Sequence, residues 1–167
     1  QTLNPGVWCK GVSFTNDALI KLNPGLYVVD QGDFNVGGGI VMTGTGVTIV
    51  LTSSTGGNYA TVTIGNGANV ILSAPTTGAT AGMVFYGDRR APASNSNDLG
   101  GGALLNFTGA IYLPSQKVIF SNGISNPSGC TQLIAGTIQF KGGARFQNNC
   151  AGTGALPIGG GASKLVE

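Results

Sequence analysis

The apolar positions of the chain fall in short runs, each cut off by Gly, Asn or Pro. In order they are Leu26–Val29, Phe34–Val36, Ile40–Met42, Val47–Leu51, Ala60–Ile64, Asn69–Leu72 and Gly82–Tyr86. Leu104–Phe107, Ala110–Leu113, Lys117–Phe120, Gln132–Ala135, Thr137–Phe140 and Ala144–Phe146 follow. β-branched and aromatic residues dominate them, so each run predicts a strand bounded by turns. Helical periodicity is nearly absent. Only Asn16–Lys21 offers a helical turn, with Asn16 or Asp17 as its cap, and it is too short to stand as a helix.

Two-residue hairpin turns are scarce, with Asn66-Gly67 and Asn122-Gly123 the exceptions. Short strands separated by tight Gly/Asn corners point instead to a solenoid, in which each coil stacks on the last. A loose internal repeat agrees. Leu3-Asn4-Pro5-Gly6-Val7-Trp8 recurs as Leu22-Asn23-Pro24-Gly25-Leu26-Tyr27, Gly25–Val28 as Gly46–Ile49, and Thr108–Tyr112 as Ala135–Gln139. The expected fold is all-β: a right-handed parallel β-helix with coils of about 20–27 residues. Residues 1–167 form one domain, interrupted by a long loop at 88–102 that carries no apolar periodicity. Residues 152–163 read as irregular and 164–167 as a closing strand.

Composition narrows the setting. Charged residues are 8% of the 167, against about 25% in a typical globular domain, and 30 residues are Gly. A Thr/Ser/Asn/Gly surface with few charges suits an exported β protein. The net charge of +2 is scattered, which argues against nucleic-acid or anionic-membrane binding. The opening Gln1–Gly6 reads as mid-domain sequence, so a fragment or a processed product is expected, with any anchor or export signal upstream. Three cysteines are present. Cys130 and Cys150 lie in Gly/Asn-rich turns flanking one strand pair and are the better disulfide pair, leaving Cys9 over. Three free thiols in a reducing compartment are the alternative.

Candidate chemistry is sparse. No histidine exists, which removes His-based nucleophilic catalysis and leaves too few ligands for zinc. Asp30 and Asp33 form the one close acid pair, but Asp30-Gln31-Gly32-Asp33 reads as a turn whose carboxylates bind backbone amides. The clusters at Gly37, Gly100 and Gly159 lack the features of a phosphate loop. Trp8, Tyr27, Tyr59, Tyr86 and Tyr112 either form a sugar-stacking face or pack along the coils. Asp88-Arg89-Arg90 reads as a local ion pair at the start of the long loop, or as a contact for a partner or an acidic glycan.

Several stretches in order resemble a known family. They are Leu22–Asp30, Gly44–Leu51, Leu72–Thr76 running into Ala81–Arg89, Phe107–Pro114 and Cys130–Ala135. Together they resemble the C-terminal region of the TadG-like proteins of tight-adherence (Tad/Flp) pilus systems. The resemblance implies an anchored parent whose C-terminal part faces the periplasm or the exterior and helps build or anchor adhesive pili. It carries over no catalytic residues. The combined expectation is a non-enzymatic, extracytoplasmic structural or adhesive module with no cofactor and no metal. Pilus or envelope proteins are its expected partners. A glycan-binding module is the alternative, and a polysaccharide lyase or hydrolase a more remote one. Asp88, Arg89, Arg90, Asn95, Asn97 and Asp98 in the long loop are the candidate contact residues.

Overall fold

The computed structural model describes residues 1–65, 67–100, 102–121 and 130–143. It is a parallel β-helix, with no helical segment among these residues. The first coil is β1 (Thr2–Leu3), β2 (Gly6–Cys9) and β3 (Val12–Phe14). The second is β4 (Leu19–Leu22), β5 (Gly25–Asp30) and β6 (Asp33–Val36), and the third β7 (Val41–Thr45), β8 (Val47–Thr52) and β9 (Thr61–Ile64). β10 (Asn69–Ser73), β11 (Met83–Gly87) and β12 (Ser96–Leu99) make the fourth. β13 (Leu104–Phe120) bends through a whole fifth coil as one strand, and β14 (Thr131–Phe140) covers two sides of a sixth.

Every pairing is parallel and joins one coil to the next, so the coils stack in three columns. The first column runs β1-β4-β7-β10-β13, and the second β2-β5-β8-β11-β13-β14. The third runs β3-β6-β9-β12-β13-β14. Alternate side chains point inward and stand on the same position of the neighbouring coil. Ile20, Met42, Val70 and Leu105 form one such buried row. Tyr27, Ile49, Phe85 and Ile111 form another. Aromatic rings knit the columns together, with Phe85 edge-on to Phe34 at 6.2 Å and to Phe107 at 5.6 Å. Trp8, in the first coil, is stacked on Phe34 and tilted against Tyr27.

Gly44 shows how tightly the interior is filled. It occupies the inward position between Leu22 and Leu72, and a Cβ there would lie 2.9 Å from Val47 Cγ2 and 3.1 Å from both leucines. Only hydrogen fits.

The structure departs from the sequence reading in four places. Asn16 and Asp17 do not cap a helical turn; they sit at φ 68° and 49° in a corner, and the chain is extended again by Leu19. Residues 88–102 are not one loop, because Ser96–Leu99 rejoins the third column between β9 and β13. Coil spacing is wider than expected, from nineteen residues between Leu3 and Leu22 to thirty-six between Ile49 and Phe85. Register also slips. Gly25 lies opposite Val47 rather than Gly46, which sets Tyr27 and Val29 on the inward Ile49 and Leu51. Slipping back by one would set them on outward positions, burying the wrong face. For the same reason Ala135 lies opposite Leu113, not Thr108. The expected strand 144–146, the irregular end and the closing strand lie outside the described residues.

Candidate ligand-binding face

The corner between the second and third columns changes along the molecule. In the first two coils it is a tight turn with two consecutive residues at positive φ: Lys10-Gly11, then Gln31-Gly32 stacked on it. A Cβ on Gly32 would lie 2.6 Å from the Lys10 carbonyl oxygen, so these corners cannot thicken. In the third and fourth coils the same corner opens into two longer excursions, residues 53–60 and 88–95. They lie side by side, tied where Asn95 Nδ2 donates to the Tyr59 carbonyl at 3.2 Å.

Asp88 organises this corner. Its Oδ1 accepts from the Arg90 amide (2.9 Å) and Nε (3.0 Å), and its Oδ2 from Arg90 Nη2 (2.7 Å) and the Thr52 hydroxyl (2.8 Å). Four donors fill the roughly four lone-pair sites of a carboxylate. The Arg90 guanidinium holds the Asp88 carboxyl well below the usual carboxylate range, against the opposing effect of burial, and the Thr52 hydroxyl adds to the lowering. Asp88 in turn raises Arg90. The Arg90 guanidinium also lies 5.9 Å from the Tyr59 ring centre, and that of Arg89 lies 5.4 Å from Tyr112.

Two depressions flank Arg90. One, of about 300 Å³, is lined by Val50, Thr52, Tyr86, Asp88, Arg89 and Arg90. The other, of about 410 Å³, is walled by the two excursions through Asn58, Tyr59, Pro92 and Asn95, with Asp33 and Thr61 alongside. Next to them runs an outward row on the second column: Val7, Val28, Val50, Tyr86, Tyr112 and Ile134, one per coil. Tyr86 and Tyr112 stack at 5.3 Å with their planes 21° apart.

No family model matches the chain, and no curated protein or solved structure does either. Chemistry therefore has to come from these residues. Of the six candidate contact residues, Asp88, Arg89, Arg90 and Asn95 gather at the corner. Asp98 lies half-buried on the outer side of β12, where Ser121 Oγ lies 3.2 Å from its Oδ1. Asn97 is corrected: it is fully buried and cannot meet a partner. It takes an inward position in β12, where its Oδ1 accepts from the Val62 amide and its Nδ2 donates to Gln116 Oε1 and the Lys117 carbonyl.

The aromatic residues divide. Tyr27 is wholly buried, its hydroxyl shared between the carbonyls of Leu3 and Asn23 and pushed up by burial. Trp8 joins the core, and Tyr86 and Tyr112 alone form an outward pair. Asp30 accepts from the Ser54 amide and Asp33 from the Thr61 hydroxyl, both on the next coil, in place of the local turn amides expected. Cys130 is buried and disulfide-bonded, Cys9 is free and exposed, and the expected partner Cys150 lies outside the described residues. Among the described residues no group of three His, Cys, Asp or Glu is placed to hold a metal. Sequence reasoning missed Thr52, Asn58 and Asp33 as neighbours of Arg90; only the coil register brings them to it.

Proposed function

We propose that the chain is a non-enzymatic, extracytoplasmic adhesive or structural module of a Flp-type pilus or surface-adhesion system, docking its partner along the outer side of the second column. The observation carrying this is the unbroken outward row from Val7 to Ile134, apolar or aromatic in six consecutive coils, whereas the other exposed apolar residues, such as Leu19, Ile71 and Leu104, do not form a row through every coil. A rigid stack presents such a row without the ordering cost a mobile surface would incur. The disulfide at Cys130 supports an oxidising compartment. The engagement of Asp30 and Asp33 in hydrogen bonds to the next coil supports a binding role over a catalytic one.

The test is to delete residues 1–167 from the gene in the source bacterium, image surface filaments and score attachment. Loss of filaments or of attachment is expected; wild-type behaviour in both refutes the proposal. A glycan-binding role is the second reading, favoured by the outward Tyr86–Tyr112 pair beside the two depressions.

A further inference from the structure

We infer that the corner around Arg89 and Arg90 binds an acidic saccharide, a pyranose chain carrying uronate-type carboxylates; this rests on the glycan-binding reading above and gives its ligand class. Charge supplies the first argument. Asp88 is saturated by four donors, so it offers a ligand nothing and serves to fix Arg90. A guanidinium has five N–H donors. Arg90 directs Nε and one Nη2 hydrogen at Asp88, which leaves three for a ligand. Arg89 is exposed and has no carboxylate partner among the described residues. The smaller depression therefore has one carboxylate already committed and two guanidinium groups with donors to spare. Planar, bidentate recognition of a carboxylate is what such donors favour.

Shape supplies the second argument. Tyr86 has Tyr112 on one face, while the position below it on the same row is Val50, a much shorter side chain. The step from Val to Tyr leaves the other ring face as a wall of the 300 Å³ depression. A pyranose sets its C–H face against such a wall while its carboxylate reaches the arginines. Beyond Arg90 the larger depression offers the neutral amides of Asn58 and Asn95 to the hydroxyls of the next sugar, and the Asp33 carboxylate at its edge, already accepting from Thr61, can accept from those hydroxyls but not face a second uronate. Each depression is near the lower limit of small-molecule sites, about 300 Å³, so the pair suits two linked rings.

The test uses the intact chain and two probes of equal length, an octagalacturonate and neutral malto-octaose, titrated by calorimetry at low and moderate salt. The acidic probe is expected to bind at least about tenfold more tightly than the neutral one. Arg89→Ala and Tyr86→Ala are each expected to weaken it about tenfold, Tyr86→Phe to retain binding, and Lys21→Ala, on the first column, to change nothing. Unchanged unfolding midpoints show that the variants are folded. Equal affinity for both probes, an equal loss in Lys21→Ala, or no binding of the acidic probe overturns the assignment. Failure here with filaments still lost on deletion leaves the pilus reading standing; binding here with deletion silent does the reverse.

Discussion

Asn97 is the residue whose replacement tests the packing logic most sharply. It stands in an inward row of the third column between Val62 and Val118, where the neighbouring coils supply Val12, Phe34, Val62 and Val118. Asn97→Val, a shorter side chain suited to a strand, removes three hydrogen bonds, stranding the Val62 amide, the Lys117 carbonyl and Gln116 Oε1. Each stranded buried group costs about 1–3 kcal/mol, and the added apolar burial returns about 1 kcal/mol, for a net loss of about 2–8 kcal/mol. Gln116 behaves differently. Its Nε2 is buried with no partner, so Gln116→Leu removes an unmet donor as well as an acceptor. Asn97 Nδ2 keeps the Lys117 carbonyl at 3.1 Å, and the net effect is about zero, within 1 kcal/mol. The double variant strands one group fewer than Asn97→Val and recovers about 1 kcal/mol of coupling. The assay is urea unfolding with the disulfide intact, followed by fluorescence and circular dichroism; coincident curves are required because stacked repeats do not always unfold as one unit. An Asn97→Val loss below 1 kcal/mol, or a Gln116→Leu loss as large as that of Asn97→Val, would refute the reasoning.

Phe85→Ala opens a cavity beneath Phe34 and Phe107 and is expected to cost about 3–5 kcal/mol in the same assay. Gly44→Val overfills the row between Leu22 and Leu72 and is expected to cost about 1–3 kcal/mol; a neutral result would mean that the first column can spread. Because the folded Asp88 pKa is depressed, its stabilising contribution is complete above about pH 4 and lost as pH falls through the folded value. The thermal midpoint of the wild type should therefore exceed that of Asp88→Asn at pH 7 and converge with it in acid, and a gap independent of pH would contradict this. Reducing the Cys130 disulfide is expected to cost about 2–4 kcal/mol, read as a lower urea midpoint in dithiothreitol.

The strands were legible because burial on a β-helix demands β-branched and aromatic runs, and Val47–Leu51 or Ala110–Leu113 are unmistakable. The stacking was legible where corners are short: Leu3 and Leu22 are true partners, as their shared Leu-Asn-Pro-Gly context predicts. It failed where corners lengthen. A Gly or Asn marks that the chain turns, not whether it returns after two residues or eight, so the excursions at 53–60 and 88–95 hid the spacing. The site shared that fate. Arg89 and Arg90 stood out as adjacent cations in a nearly uncharged chain, but Thr52 joins Asp88 across thirty-six residues. Asn97 was illegible for another reason: in Ser94-Asn95-Ser96-Asn97-Asp98 nothing local tells the one buried amide from its surface neighbours.

The all-parallel pairing has a mechanical consequence. Every ladder hydrogen bond joins one coil to the next, so these bonds lie along the stacking axis and the backbone runs across it. Tension along the axis is carried by one layer of bonds at a time. A load applied across the axis is shared by covalent chain and by the aromatic contacts between columns. The molecule therefore resists sideways pulling far better than stretching, and an attachment seated on the side of the stack, at the Arg89–Arg90 corner, pulls in the direction it bears best.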